Sequence, residues 1–282
     1  MENKKVWLIT GASRGFGFDI AKVALEAGDQ VVATVRSNPV LLQDKLSNHP
    51  NLLVVVLDVT VEDQVLAGVN KAIGQFGKID ILVNNAGYGL LGATEEVSDL
   101  EVRKQFDTNV FGLLNVTRAV LPHMRSRKSG HIINISSLFG YGATAPGFGL
   151  YGSTKYAVEG ITEGLALELK PLGIHTTALA PGLFSTDFAS NDSYQASAKI
   201  IDAYQDTVGQ IRKAVSGLHG NQPGDPAKLA GVVLQLSRSE NPPLHLPVGK
   251  DAVDLFRSRA EINAKEVDEW AEISNSTDHV KS

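Results

Sequence analysis

Tyr151 and Lys155 stand four residues apart in a stretch of helical periodicity, so their side chains share one helix face. A tyrosine near its free pKa of about 10 is a poor acid–base group at neutral pH. A neighbouring ammonium stabilises its phenolate and brings it toward the working range. Alone, an aromatic–lysine pair at this spacing is common on solvated faces. It gains weight here because Ser136 and Ser137 close an apolar, strand-like run just upstream, where a parallel sheet presents its ligand crevice. Strand alternation sends the two serines to opposite faces. Tyr156 is turned about 100° from Lys155 and reads as packing.

The second chemical stretch is Thr10-Gly11-Ala12-Ser13-Arg14-Gly15-Phe16-Gly17. Gly11, Gly15 and Gly17 sit where the chain turns from strand to helix. Such a turn lets a diphosphate approach backbone N–H groups, and the helix N-terminus adds positive partial charge. A strand before and a helix after separate this motif from an ordinary turn. An NAD site usually places Asp or Glu about 20 residues further on, for the ribose 2′-hydroxyl. Here the second strand runs into Val35-Arg36-Ser37, with no carboxylate. Arg36 can pair with a 2′-phosphate, Ser37 can donate to it, and Arg14 lies on the same side. The expected cofactor is NADP(H). Asp58 suits either the adenine amino group or the entry of a helix.

These residues need elements to hold them, and the chain alternates short apolar runs with longer amphipathic ones. Val6–Thr10, Val31–Val35, Leu52–Leu57, Ile79–Val83, His131–Ile135 and His175–Ala180 read as six strands. Helical patterns cover Phe18–Ala27, Val61–Phe76, Val97–Met124 and Tyr151–Leu169, with Gly28, Gly77, Pro122, Pro171 and Gly173 at or near their ends. Strands apolar on both faces belong to a parallel sheet. The expectation is an α/β fold: a doubly wound parallel sheet (Rossmann fold) in a three-layer α/β/α sandwich. One catalytic domain spans 1–253. Within it, the polar stretch 186–224 is expected as a substrate lid, with a helix near Ala198–Val215. A charged, partly helical tail follows over 254–282.

Composition narrows the function. There is no cysteine among the 282 residues, which excludes disulfides, thiolate catalysis and cysteine-bound metals. The histidines are scattered, so no metal site is expected. A formal net charge of −5 argues against nucleic acid or an anionic membrane as partner. No run reaches the roughly 18 apolar residues of a membrane span, and a cytoplasmic location is expected.

In order and spacing, Thr10–Gly17, Asn84-Asn85-Ala86-Gly87, Asn109, Ser136-Ser137, Tyr151-Gly152-Ser153-Thr154-Lys155 and Pro181-Gly182 resemble the short-chain dehydrogenases/reductases, over roughly residues 5–250. The likeness is to the compact branch, of NADP-preferring carbonyl reductase type. It implies hydride transfer between NADPH and a ketone or aldehyde (in reverse, from a secondary alcohol). Tyr151 acts as general acid/base, Ser137 polarises the substrate oxygen, and Lys155 tunes Tyr151 and holds the nicotinamide ribose. Asn109 bends its helix around a water that feeds protons toward Lys155. The Ser137–Tyr151 interval of 14 residues is one longer than is usual in the family. The implied cofactor set is Gly11, Ser13, Arg14, Gly15, Phe16, Gly17, Arg36, Ser37, Asp58, Val59, Asn85, Ala86, Gly87, Tyr151, Lys155, Pro181, Gly182 and Thr186. Phe139, Tyr141, Phe184 and Phe188, with Phe148 and Tyr194, fall in loops flanking the nicotinamide and suggest a small hydrophobic carbonyl or alcohol substrate contacting Ser137. The family also implies a homo-oligomer, dimer or tetramer. An NAD-dependent alcohol dehydrogenase and a non-catalytic NADP(H)-binding regulator stay open as alternatives.

Overall fold

Strand alternation decides the layering. In β1 (Val6–Ile9) Trp7 and Ile9 enter one apolar cluster and Leu8 the other. In β2 (Gln30–Val35) Val31, Ala33 and Val35 likewise oppose Val32. Both faces are therefore apolar and both must be covered. The computed structural model describes residues 4–185, 194–217 and 222–279. On one side, α1 (Gly15–Glu26) and α8 (Pro226–Arg238) cover the sheet with Ile20, Ala24, Leu229 and Val233. On the other, α3 (Glu62–Phe76), α5 (Leu113–Arg127) and α6 (Gly149–Leu169) bring Val65, Val69, Val116, Val120 and Leu165. The three-layer sandwich is thus in place.

After the short helix α2 (Pro39–Lys45), the sheet continues with β3 (Leu52–Val56), β4 (Ile81–Asn84), β6 (Gly130–Ile135), β7 (Ile174–Pro181) and β9 (His245–Val248). All seven strands are parallel, in the order β3-β2-β1-β4-β6-β7-β9. The winding reverses between β1 and β4, and the carboxyl ends there open a crevice for a ligand. Six strands were expected; β9 is the seventh. It is short, lies at the edge and contains Pro247, which has no N–H to donate and is tolerated at an edge.

The helical stretch expected over Val97–Met124 divides into three. The helix α4 (Asp99–Phe106) starts at a Ser98–Glu101 capping box, a π-helical turn spans Asp107–Gly112, and α5 runs on to Arg127 with Pro122 inside it. The π turn adds a residue to the helical repeat and rotates Asn109 into the interior.

Of the stretch expected as a lid, residues 194–217 and 222–224 are described. Here β8 (Tyr194–Ala196) pairs in parallel with β5 (Gly89–Leu91), and a 3-10 turn and a π-helical turn lead into α7 (Gln210–Gly217). The last helix, α9 (Lys250–Asn275), begins four residues before the expected start of the tail. Its first turns pack on the domain, and its distal part is solvent-exposed. Among the described residues, no helix is long and apolar enough to cross a membrane.

Candidate active site

A cleft of about 880 Å³ runs across the carboxyl ends of the strands. Its middle is built on glycine. Gly11 (φ +66°) and Gly15 (φ +55°) occupy the left-handed region, which other residues enter only at a cost. A Cβ on Gly17 would come within 2.5 Å of Asn85 Nδ2 and 2.6 Å of the Gly11 carbonyl, so Gly17 packs the loop and does not line the cleft. Asn85 Nδ2 donates to the Thr10 and Gly11 carbonyls at 2.8 and 3.0 Å, while Thr10 Oγ1 accepts from the N–H groups of Asn85 and Ala86. The loops after β1 and β4 therefore form one rigid unit. The first turn of α1 carries no acidic residue, and its leading N–H groups have no intrahelical acceptor. Ser13, Arg14, Gly15 and Phe16 line the cleft at that point. This cradle fits a diphosphate.

At one end the lining is Val35, Arg36, Leu57, Asp58 and Val59. Arg36 is exposed at the tip of β2; Ser37, also exposed, lies outside the lining. Asp58 Oδ1 accepts from the N–H and Oγ1 of Thr60, bracketing the approach to α3, while the residue also lines the cleft.

At the other end Tyr151 is buried, edge-on to Phe139 and Phe148 at 5.9 and 6.3 Å between ring centroids. Burial pushes its phenol up to about 12, and a hydrogen bond with Ser137 pulls the other way. The ammonium of Lys155 donates to the Ile135 carbonyl at 2.8 Å and sits 5.8 Å from the Tyr151 ring centroid. Burial lowers it to about 8, opposed by the carboxylate of Glu159. Helix spacing and the carboxyl end of β6 thus bring together the three groups singled out in the sequence.

Asn109 stands behind this group rather than in the cleft lining. Its Nδ2 donates to the Tyr88 carbonyl and to Thr154 Oγ1 at 3.0 and 3.1 Å, and its Oδ1 accepts from the Tyr88 N–H. A Cβ on Gly87 would lie 3.0 Å from that Oδ1 and 3.8 Å from Lys155 Nζ, so Asn109 and Gly87 are pressed together beside the lysine. Ala86 and Gly87 line the cleft.

Pro181 ends β7, and Gly182, Leu183 and Phe184 continue along the wall, with Phe184 edge-on to Phe16 at 5.4 Å. A residue not anticipated from the sequence holds this loop. Asp251, in the first turn of α9, accepts the Leu183 N–H at 2.7 Å, and a Cβ on Gly182 would fall 1.9 Å from its Oδ1. Phe139, Phe148 and Tyr194 line the Tyr151 end of the cleft, joined by Ile211, Val215 and Leu255, which the sequence did not single out. Tyr141 does not belong there: it stacks on Phe256 at 3.6 Å and 8°, outside the lining. Tyr156 is 48% exposed and is not a packing residue in the monomer. Thr186 and Phe188 lie outside the described residues.

Residues 5–197 match the family model of the short chain dehydrogenases. The chain is similar to Oxidoreductase BOA17 of Botryotinia fuckeliana (strain B05.10), with 40% identity over 96% of this chain and 98% of that one. Its structure resembles that of a short-chain dehydrogenase from Streptomyces avermitilis, with TM-score 0.90 and 40% identity, covering 99% of this chain and 100% of that chain. Two further solved structures hold nicotinamide cofactors. ElxO with NADP bound has TM-score 0.72 and 30% identity, covering 89% of this chain and 100% of its own. The 3-ketoacyl-(acyl-carrier-protein) reductase of Brucella melitensis, complexed with NADH, has TM-score 0.71 and 30% identity, covering 86% and 96%. With the glycine cradle and the Ser137–Tyr151–Lys155 group in one cleft, these likenesses show that the chain belongs to the short-chain dehydrogenase/reductase family of oxidoreductases.

Proposed function

We propose that the protein is an NADP(H)-dependent carbonyl reductase that interconverts an apolar ketone or aldehyde and its alcohol. One observation carries this reading: Tyr151, hydrogen-bonded to Ser137 with the Lys155 ammonium beside it, is buried at the apolar end of the cleft. Gly11, Ser13, Arg14, Gly15 and Phe16 would hold the diphosphate, Asp58 and Val59 the adenine side, and Lys155 the nicotinamide ribose. When bound, the cofactor supplies or accepts the hydride. The chain supplies the proton and the setting. Ser137 donates to the carbonyl oxygen and orients it toward Tyr151. Tyr151 carries its proton at neutral pH, the form that donates during reduction. The positive charge of Lys155 lowers the cost of leaving a phenolate behind. Phe139, Phe148, Tyr194, Ile211 and Val215 exclude water from that end and favour an apolar substituent on the substrate.

The choice of NADP(H) rests on Arg36 at the tip of β2, where no carboxylate stands to receive a ribose hydroxyl. Its guanidinium matches a 2′-phosphate. The test is NADPH oxidation across a panel of ketones and aldehydes, with Tyr151→Phe alongside. Loss of one general acid lowers kcat by about 10²–10⁴-fold; undiminished turnover in Tyr151→Phe overturns the mechanism.

A further inference from the structure

The chain from Tyr194 to Gly217 forms the far wall of the substrate end, and its attachment converges on two adjacent acids, Glu95 and Glu96. The Glu96 side chain has no solvent exposure. Its Oε2 accepts from the Ala93 N–H and from Arg212 Nη2, both at 2.8 Å. Its Oε1 accepts from the Ile201 N–H at 2.9 Å and from Arg212 Nη1 at 3.3 Å. Each oxygen thus takes one backbone N–H and one arm of the guanidinium, a bidentate geometry that fixes direction as well as distance. The Glu96 carbonyl accepts from Ser197 Oγ, and Glu95 accepts from the Tyr204 hydroxyl and, at its carbonyl, from Lys199 Nζ. These partners hold the Glu96 carboxyl far below the usual carboxylate range, at about 2.

Arg212 lies between Ile211 and Val215 on α7, and those two side chains face the cleft with Phe148 and Tyr151 in one apolar cluster. Apolar packing alone could cover Tyr151, yet it readily repacks around a different neighbour. A buried carboxylate with four donors has one arrangement that satisfies it, and every other leaves a charge unpaired.

We propose that Glu96 is the positioning residue of the substrate chamber: by seating Arg212 and the Ile201 N–H it fixes the Ile211–Val215 wall opposite Phe139, Phe148 and Tyr151. The chamber is then preformed, and it selects carbonyl compounds with one bulky apolar substituent. This rests on the reading of Tyr151 as the proton donor, since the wall matters to selection only if the carbonyl sits at Tyr151.

The test uses the full chain with Glu96→Gln and, separately, Arg212→Met, which leaves Glu96 its two backbone donors should the first variant fail to fold. Amide exchange read by mass spectrometry reports the wall, and steady-state kinetics with NADPH compare an aryl alkyl ketone with acetone. In both variants exchange over 194–217 rises about tenfold or more while that of β6 and α6 is unchanged. KM for the aryl ketone rises about tenfold, whereas kcat, KM for acetone and KM for NADPH move by less than about threefold. Unchanged exchange over 194–217 overturns the anchor. Equal KM losses for the two ketones, or a fall in kcat alone, overturn the selective role. If the wild-type chain reduces neither ketone, the proposed function fails and the exchange result alone decides the anchor.

Discussion

Replacing Lys155 with Met removes a buried positive charge while keeping most of the stem. The Lys155 ammonium sits 5.8 Å from the centroid of the Tyr151 ring. At an effective dielectric of about 20, unit charges at that separation interact by about 3 kcal/mol. That is about two pKa units on Tyr151, or roughly a hundredfold in any rate that depends on forming the phenolate. We expect kcat for ketone reduction to fall by about that factor in Lys155→Met. Wild-type activity carries its own signature, because burial lowers Lys155 to about 8. Below that pH the lysine is charged and supports Tyr151; as pH rises through about 8 the charge is lost and reduction slows. The variant has no such charge, so its profile through that region is flat. The assay is steady-state NADPH oxidation at saturating ketone over a pH series, with NADPH affinity measured separately by fluorescence, because Lys155 is also proposed to hold the ribose. A kcat within about threefold of wild type, with the descending limb near pH 8 retained, refutes the electrostatic role.

Arg36→Asp should reverse cofactor preference: losing a charged hydrogen bond worth about 1.5–3 kcal/mol raises KM for NADPH by about 10–100-fold and leaves KM for NADH unchanged or lower, and equal use of both cofactors by the wild type contradicts the assignment. Gly182→Ala should destabilise the protein by about 1–3 kcal/mol through overpacking, since its Cβ would fall 1.9 Å from Asp251 Oδ1; in an Asp251→Ala background the same substitution should cost little. A thermal melt series that finds the two substitutions additive rejects that coupling.

What could be read from the sequence was local. The glycine loop, the Tyr151–Lys155 spacing and Ser137 at a strand end follow from strand–turn–helix order and from helix periodicity, so they are legible within a few dozen residues. The β9 strand was not, because two of its four residues are His245 and Pro247 and its apolar signal is weak. The π turn at Asn109 is invisible to a 3.6-residue template, and only the family resemblance implied a bend there. Tyr141 differs for another reason: its place in a loop near the site does not fix which way its ring turns, and Phe256, 115 positions later, offers it a flat partner. Glu96 looks like any surface acid in its own neighbourhood, and only Arg212, 116 positions away, makes it an interior residue. Asp251 reads as an ordinary first-turn acid of α9, and nothing nearby links it to Leu183.

That last link bears on the order in which the molecule is made. Protein chains emerge amino-terminus first, and a domain folds as a unit. Tyr151, Lys155 and the glycine cradle are all synthesised well before Asp251, yet the loop after β7 has no carboxylate beneath Leu183 until α9 has begun to form. A nascent chain can lay down most of its sheet and still lack the brace for one wall of its own cleft. Completion of the pocket therefore waits on a residue made some hundred positions after the reactive side chains, which separates having those side chains from being able to use them.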